Sequence, residues 1–155
     1  MPREAQVRCS HLNDEVDAMS PVRVFVIDDS AVVRHILCRV IERSFSCTLV
    51  GSASSVESAR GQIAETQPDA ITLDLVMPGC DGLGYLDETR ERRPAIVVVS
   101  AATQTGSPET LRALAHGADA CFDKGRIVSH AGLFIRTLTV AARNHVDRAP
   151  LRLRA

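Results

Sequence analysis

The chain has 155 residues, with 18 basic and 19 acidic side chains, and a formal net charge of -1. That length holds one compact domain. Near-neutrality, 3% aromatic residues and no Trp offer neither the basic field nor the stacking surface of a nucleic-acid binder. No apolar run is long enough for a membrane span, and no basic segment leads into an apolar core at the N-terminus, as a secretory signal would need. The five Cys (9, 38, 47, 80 and 121) are scattered without a CxxC pair and fit reduced thiols in a cytoplasmic chain.

Residues 1–20 are polar and aperiodic and are expected to form a disordered extension. Met19, just before Ser20 and Pro21, is a candidate true start. Val22–Ile27 is a β-rich apolar run ended by Asp28, Asp29 and Ser30, and Ser30 suits a helix N-cap. Val33, Ile36, Leu37, Val40 and Ile41 then recur at helical spacing. Cys47–Ala53 predicts a second strand and Val56–Thr66 a helix, broken at Gln67-Pro68. Ala70–Leu73 predicts the third strand, Met77–Gly82 a turn-rich loop and Leu83–Arg93 a helix. Ala95–Val99 is uniformly apolar, as a strand buried on both faces should be. Ser107-Pro108 suits an N-cap followed by an N1 proline, and Gly117 a helix stop. Ala120–Phe122 predicts a short fifth strand and His130–Asn144 a last helix, with a basic tail over 145–155. Five strand-helix alternations predict an α/β domain over 21–144, a doubly wound parallel sheet with helices on both faces.

The chemistry collects at the ends of these strands. Asp28, Asp29, Asp74, Ser100 and Lys124 each fall at or just after a strand end, and in a parallel sheet those ends share one edge. Three carboxylates brought together repel one another unless a cation neutralises them. Mg2+, small and oxygen-seeking, fits such a set. A carboxylate such as Asp74 can also attack a phosphoryl donor and form an acyl phosphate. Lys124, the Ser100 hydroxyl and backbone N–H groups could then neutralise the phosphoryl oxygens. Singly, each residue has an ordinary explanation: strand-end capping for Asp28 and Asp29, turn chemistry for Met77-Pro78 and Asp81-Gly82, a solvated Lys124. Their joint placement at four strand ends carries the argument. The five His (11, 35, 116, 130 and 145) lack metal-ligand spacing and read as surface or helix residues, and GCDGLG (79–84) has neither phosphate-loop spacing. Cys80, in the loop near the site, is a weak candidate for redox chemistry.

The segments VRVFVIDDSAVVR, PDAITLDLVMPGCDG, VVVSA and TLRALAHGADACFDK, in this order, resemble the receiver domain of two-component response regulators, from about Pro21 to Asn144. Within that family the chain is most similar to receivers of the chemotaxis methylesterase type, here as a stand-alone regulator, since 155 residues leave no room for the catalytic domain. The resemblance implies a flavodoxin-like (βα)5 fold with strand order 2-1-3-4-5. It implies that Asp74 is the phosphoacceptor, served by a sensor histidine kinase or a histidine phosphotransfer protein. Asp29, Asp74 and the Val76 carbonyl, assisted by Asp28, would hold Mg2+. Ser100 and Lys124 would bind the phosphoryl oxygens. It also implies a binding module rather than an enzyme with turnover.

Four positions depart from the family pattern. Cys121 stands where an aromatic usually swings inward on activation, and Phe122 should face the opposite side of the strand. Gly125 replaces the usual Pro, so no cis peptide is expected after Lys124. Val76 and Ala102, which flank the acceptor in the family, are both apolar and cannot hold an attacking water, so slow self-dephosphorylation is expected. The last helix carries Leu133, Phe134, Ile135, Leu138, Val140, Ala141 and Ala142, more apolar surface than one packed face needs, which suggests a homodimer or a docked partner. Alternatives remain: a degenerate receiver that binds partners without phosphorylation, a phosphate sink, or a haloacid-dehalogenase-like phosphatase. The last needs a second Asp where Val76 stands. Cognate kinase and downstream target are not encoded in these motifs.

Overall fold

A computed structural model describes residues 20–90, 93–101 and 106–148, except the side chains of Cys80, Asp147 and Arg148. The expected extension over 1–19, Ala102 and the tail beyond Arg148 lie outside the described residues. Numbering only the strands of the main sheet, the strands are β1 (Val22–Ile27), β2 (Cys47–Ala53), β3 (Ala70–Leu73), β4 (Ala95–Ser100) and β5 (Ala120–Asp123). The helices are α1 (Ala31–Glu42), α2 (Val56–Thr66), α3 (Gly82–Glu88), α4 (Pro108–Ala115) and α5 (Ala131–Arg148). All neighbouring strands pair in parallel in the order 2-1-3-4-5, the flavodoxin-like arrangement.

Alternation along the strands splits the core into two layers. Val22, Val24 and Val26 of β1 face α1 and α5, packing with Leu37, Ile41, Phe134 and Leu138. Phe25 and Ile27 face the other way, toward Val56 and Ala59 of α2, Leu86 of α3 and Ala113 of α4. Each large side chain fully buried here contributes about 1.5–3 kcal/mol through apolar area removed from water. The β1–β2 register shifts between Val24 and Phe25. Opposite the shift, a Cβ on Gly51 would lie 2.6 Å from the Phe25 ring, so glycine there lets the two strands close.

Most helix starts follow the side chains that cap them. Ser30, Ser55 and Ser107 accept bonds from the N–H groups of Val33, Ser58 and Thr110. Gln67, at φ 45°, ends α2, and Gly117, at φ 96°, turns the chain after α4. Strands β4 and β5 each run one residue further than expected, to Ser100 and Asp123, and three larger differences appear. At the expected loop, and starting one residue before it, Val76–Met77 and Cys80–Asp81 form a small antiparallel hairpin. Helix α3 ends at Glu88 rather than Arg93. There the Thr89 hydroxyl bonds the Tyr85 carbonyl, and Arg90 and Arg93 are drawn away to the carbonyls of Ala115 and Gly117. Helix α5 runs past Asn144 to Arg148, into the expected tail, because His145 is tied to Asp119 and to the Arg93 carbonyl.

Candidate functional site

The strand ends converge as the parallel sheet requires. Asp28 and Asp29 follow β1, Asp74 follows β3, Ser100 ends β4 and Lys124 follows β5. Asp28 donates its N–H to the Ala53 carbonyl, and Asp74 donates to the Ile27 carbonyl, so both leave the sheet still paired to a neighbouring strand. Asp28, Asp74 and Ser100 are buried, Lys124 is partly buried and Asp29 is exposed. Carboxylate oxygens of Asp28, Asp29 and Asp74 lie within 4.8 Å of one another. Ser100 pairs in register with Asp123, the residue before Lys124.

The Lys124 ammonium lies 2.8 Å from Oδ2 of Asp28 and 2.8 Å from Oδ2 of Asp74. It donates a hydrogen bond to Asp74. The Asp28 contact is an equally short ion pair to an oxygen that is itself buried. Burial works against the ammonium, but the two carboxylates outweigh it and raise the Lys124 pKa. One ammonium among three carboxylates leaves a net negative, partly dry pocket. The all-carboxylate donor set, two of its three members buried, fits a hard divalent cation.

The loop after β3 is shaped for this edge. Val76 donates its N–H to Asp74 Oδ1 at 3.0 Å, folding the chain back over the acceptor. Gly79 takes φ 70° in the hairpin turn. A Cβ on Gly82 would sit 3.2 Å from the Leu75 Cα and 3.4 Å from the Asp74 carbonyl, so the start of α3 packs directly on this loop. Asp123 caps the turn at Lys124 by accepting from the Gly125 N–H at 2.9 Å. Among the described residues no peptide bond is cis.

Cys121 and Phe122 face opposite layers, as strand alternation requires. Cys121 packs toward the α4 side, its Sγ 3.9 Å from the Thr110 carbonyl, and burial pushes its pKa up to about 11. Phe122 meets Phe134 edge-on, with ring centroids 5.2 Å apart.

The response regulator receiver domain matches residues 24–128, which is most of the chain. This protein belongs to the response regulator receiver family. A relative from Albidiferax ferrireducens, named protein-glutamate methylesterase/protein-glutamine glutaminase 1, is 38% identical over 139 residues, covering 85% of this chain and 37% of the relative. One of the same name, numbered 2, from Xanthomonas oryzae pv. oryzae is 42% identical over 115 residues, covering 74% of this chain and 32% of the relative. The chain thus spans about a third of the length of these curated relatives. The crystal structure of the response regulator domain of Thermotoga maritima CheB superimposes with a TM-score of 0.73 at 27% identity, covering 80% of this chain and 98% of that one. CheY6 from R. sphaeroides, solved in complex with the P1 domain of CheA3, is among the similar structures, with a TM-score of 0.66 at 29% identity over 79% of this receiver and 99% of that chain.

Two features of this receiver escape a reading by motif. Arg34, in the first turns of α1, donates from Nη1 to the Asp28 carbonyl at 2.8 Å. At the opposite edge of the sheet, Arg93, Asp119 and His145 form a network whose two basic members lie outside the quoted motifs. The signals were local in the first case, an Arg soon after the acidic pair, and absent in the second.

Proposed function

We propose that Asp74 accepts a phosphoryl group from a histidine kinase or a histidine phosphotransfer protein, with Mg2+, and that the acyl phosphate switches partner binding. The observation that carries this reading is the buried Asp74 carboxylate, with an ammonium 2.8 Å away and two further carboxylates beside it. An Asp74 oxygen attacks phosphorus as the bond to the donor breaks, and the donor leaves with the electron pair and takes a proton from solvent. Asp28, Asp29, Asp74 and the Val76 carbonyl would hold Mg2+. When bound, the ion supplies charge neutralisation at the phosphoryl oxygens. Lys124 exchanges its bond to Asp74 for one to a phosphoryl oxygen, and Ser100 contributes its hydroxyl to another. The CheY6 complex with a CheA3 domain supports a donor of the same type here.

The output face of this reading lies on α4, β5 and α5. Leu111 and Leu114 on α4 and Leu133 and Val140 on α5 are exposed apolar side chains. A downstream protein, or a second copy of this chain through α5, would cover them. With Cys121 in the place of a swinging aromatic, the shift must pass through the Thr110 contact and α4 rather than through a ring.

The test is intact mass after incubation with acetyl phosphate and Mg2+, with Asp74→Ala as control. One phosphoryl adduct per chain, lost in Asp74→Ala and lost with a chelator, is expected. No adduct, together with no beryllofluoride binding, would leave a phosphorylation-independent binding module. Continued turnover of a phosphate ester would instead indicate a phosphatase.

The lifetime of the adduct follows from Val76, which is 70% exposed beside the acceptor and offers no hydrogen bond to an attacking water. Val76→Asn with Ala102→Glu is expected to shorten that lifetime on the order of tenfold to a hundredfold. Equal decay of the adduct in parent and variant would remove water placement as the cause of slow hydrolysis.

A further inference from the structure

Every polar group of Asp28 is engaged by another part of the chain. Its N–H goes to the Ala53 carbonyl, and its Oδ1 accepts from the Ser30 N–H at 2.9 Å. Its carbonyl has no strand to pair with, since β2 ends at Ala53. Arg34 fills that vacancy from α1, donating from Nη1 at 2.8 Å. Its Oδ2 faces the cluster with Asp29 and Asp74 and has the Lys124 ammonium 2.8 Å away. The carbonyl that Arg34 holds belongs to the peptide joining Asp28 to Asp29. Its direction therefore sets where Asp29 leaves the strand, and with it the separation of the two carboxylates.

We propose that Arg34 is a positioning residue for the divalent-cation site, clamping the Asp28–Asp29 peptide so that both carboxylates address one ion. This inference rests on the reading of the acidic cluster as a Mg2+ site. Charge and positioning predict opposite signs for it. A guanidinium close to a cation site repels the cation, so on charge alone its removal tightens Mg2+ binding. If its work is to fix the peptide, removal weakens binding, as loss of an outer partner of a metal ligand does.

The experiment is a calorimetric Mg2+ titration of the full chain as parent, Arg34→Met and Arg34→Lys. Unfolding midpoints are recorded separately, so that affinity is compared among folded molecules. Arg34→Met is expected to bind Mg2+ roughly tenfold more weakly, and Arg34→Lys, with the charge kept and one donor available, to lie between it and the parent. Unchanged or tighter binding in Arg34→Met would overturn the proposal. If Arg34→Met does not fold, Arg34→Lys decides, and parent-like affinity there overturns it equally. A parent that binds no Mg2+ would instead overturn the metal reading beneath it, and the positioning role with it.

Discussion

Lys124→Met is expected to lose about 3 kcal/mol of stability in chelator-treated buffer and to recover much of it in Mg2+. The ammonium is 2.8 Å from a carboxylate oxygen of both Asp28 and Asp74, and those side chains are only 1% and 3% exposed. Removing it leaves two buried carboxylates with no fixed counter-charge, the costly way to break a buried pair. The Lys124 pKa is raised because the carboxylates outweigh burial, so its contribution is fully present at neutral pH and is lost only as pH rises through that raised value. A cation that binds only the folded chain restores stability in proportion to the logarithm of its concentration. The variant should therefore gain more from Mg2+ than the parent does. Urea unfolding followed by circular dichroism, with chelator and with saturating Mg2+, measures both quantities. Equal stability of parent and variant in chelator would show that Lys124 does not hold the acidic cluster together.

The parts of this molecule legible in the sequence are those governed by local pattern. Cys47–Ala53 and Val56–Thr66 read as the strand and helix they are, because apolar run, capping serine and breaker all agree. The site was legible for a topological reason. In a parallel sheet every strand end reaches the same edge, so Asp28, Asp74, Ser100 and Lys124 are all carried to that edge without any long-range information. What a long-range side chain decides was not legible. Leu83–Arg93 has helical composition, yet the helix stops at Glu88 because Arg90 and Arg93 bond to carbonyls on the α4–β5 connection. His145 extends α5 for the same kind of reason. The Lys124 position was readable, but its placement between two particular carboxylates was not, since that depends on where a four-carbon stem comes to rest.

The same long-range network carries the second large expectation. Asp119→Ala should destabilise the fold by about 3–5 kcal/mol. Asp119 Oδ2 accepts from Arg93 Nη1 and from the Ile96 N–H, each at 2.8 Å, while Oδ1 lies 3.0 Å from His145 Nδ1. The Arg93 side chain is 4% exposed and its Nε already lacks a partner, so losing Asp119 strands a buried cation and frees the start of β4 and the last turns of α5 together. Burial pushes the Asp119 carboxyl up, but the bonds from Ile96, His145 and Arg93 outweigh it and hold the pKa below the usual range. A depressed carboxyl contributes stability that is present above its unfolded value, about 3.9, and lost as pH falls through the folded value. Asp119→Asn should therefore flatten the acid limb of stability against pH, which urea midpoints at a series of pH values would record. Parallel acid limbs in parent and Asp119→Asn would show that the carboxylate is not the source. The network sits before β4 and β5, at the amino edge of the sheet, whereas Asp74 sits at the carboxyl edge. Folded Asp119 variants should accept a phosphoryl group from acetyl phosphate as the parent does, which separates the chemistry that holds this sheet from the chemistry it performs.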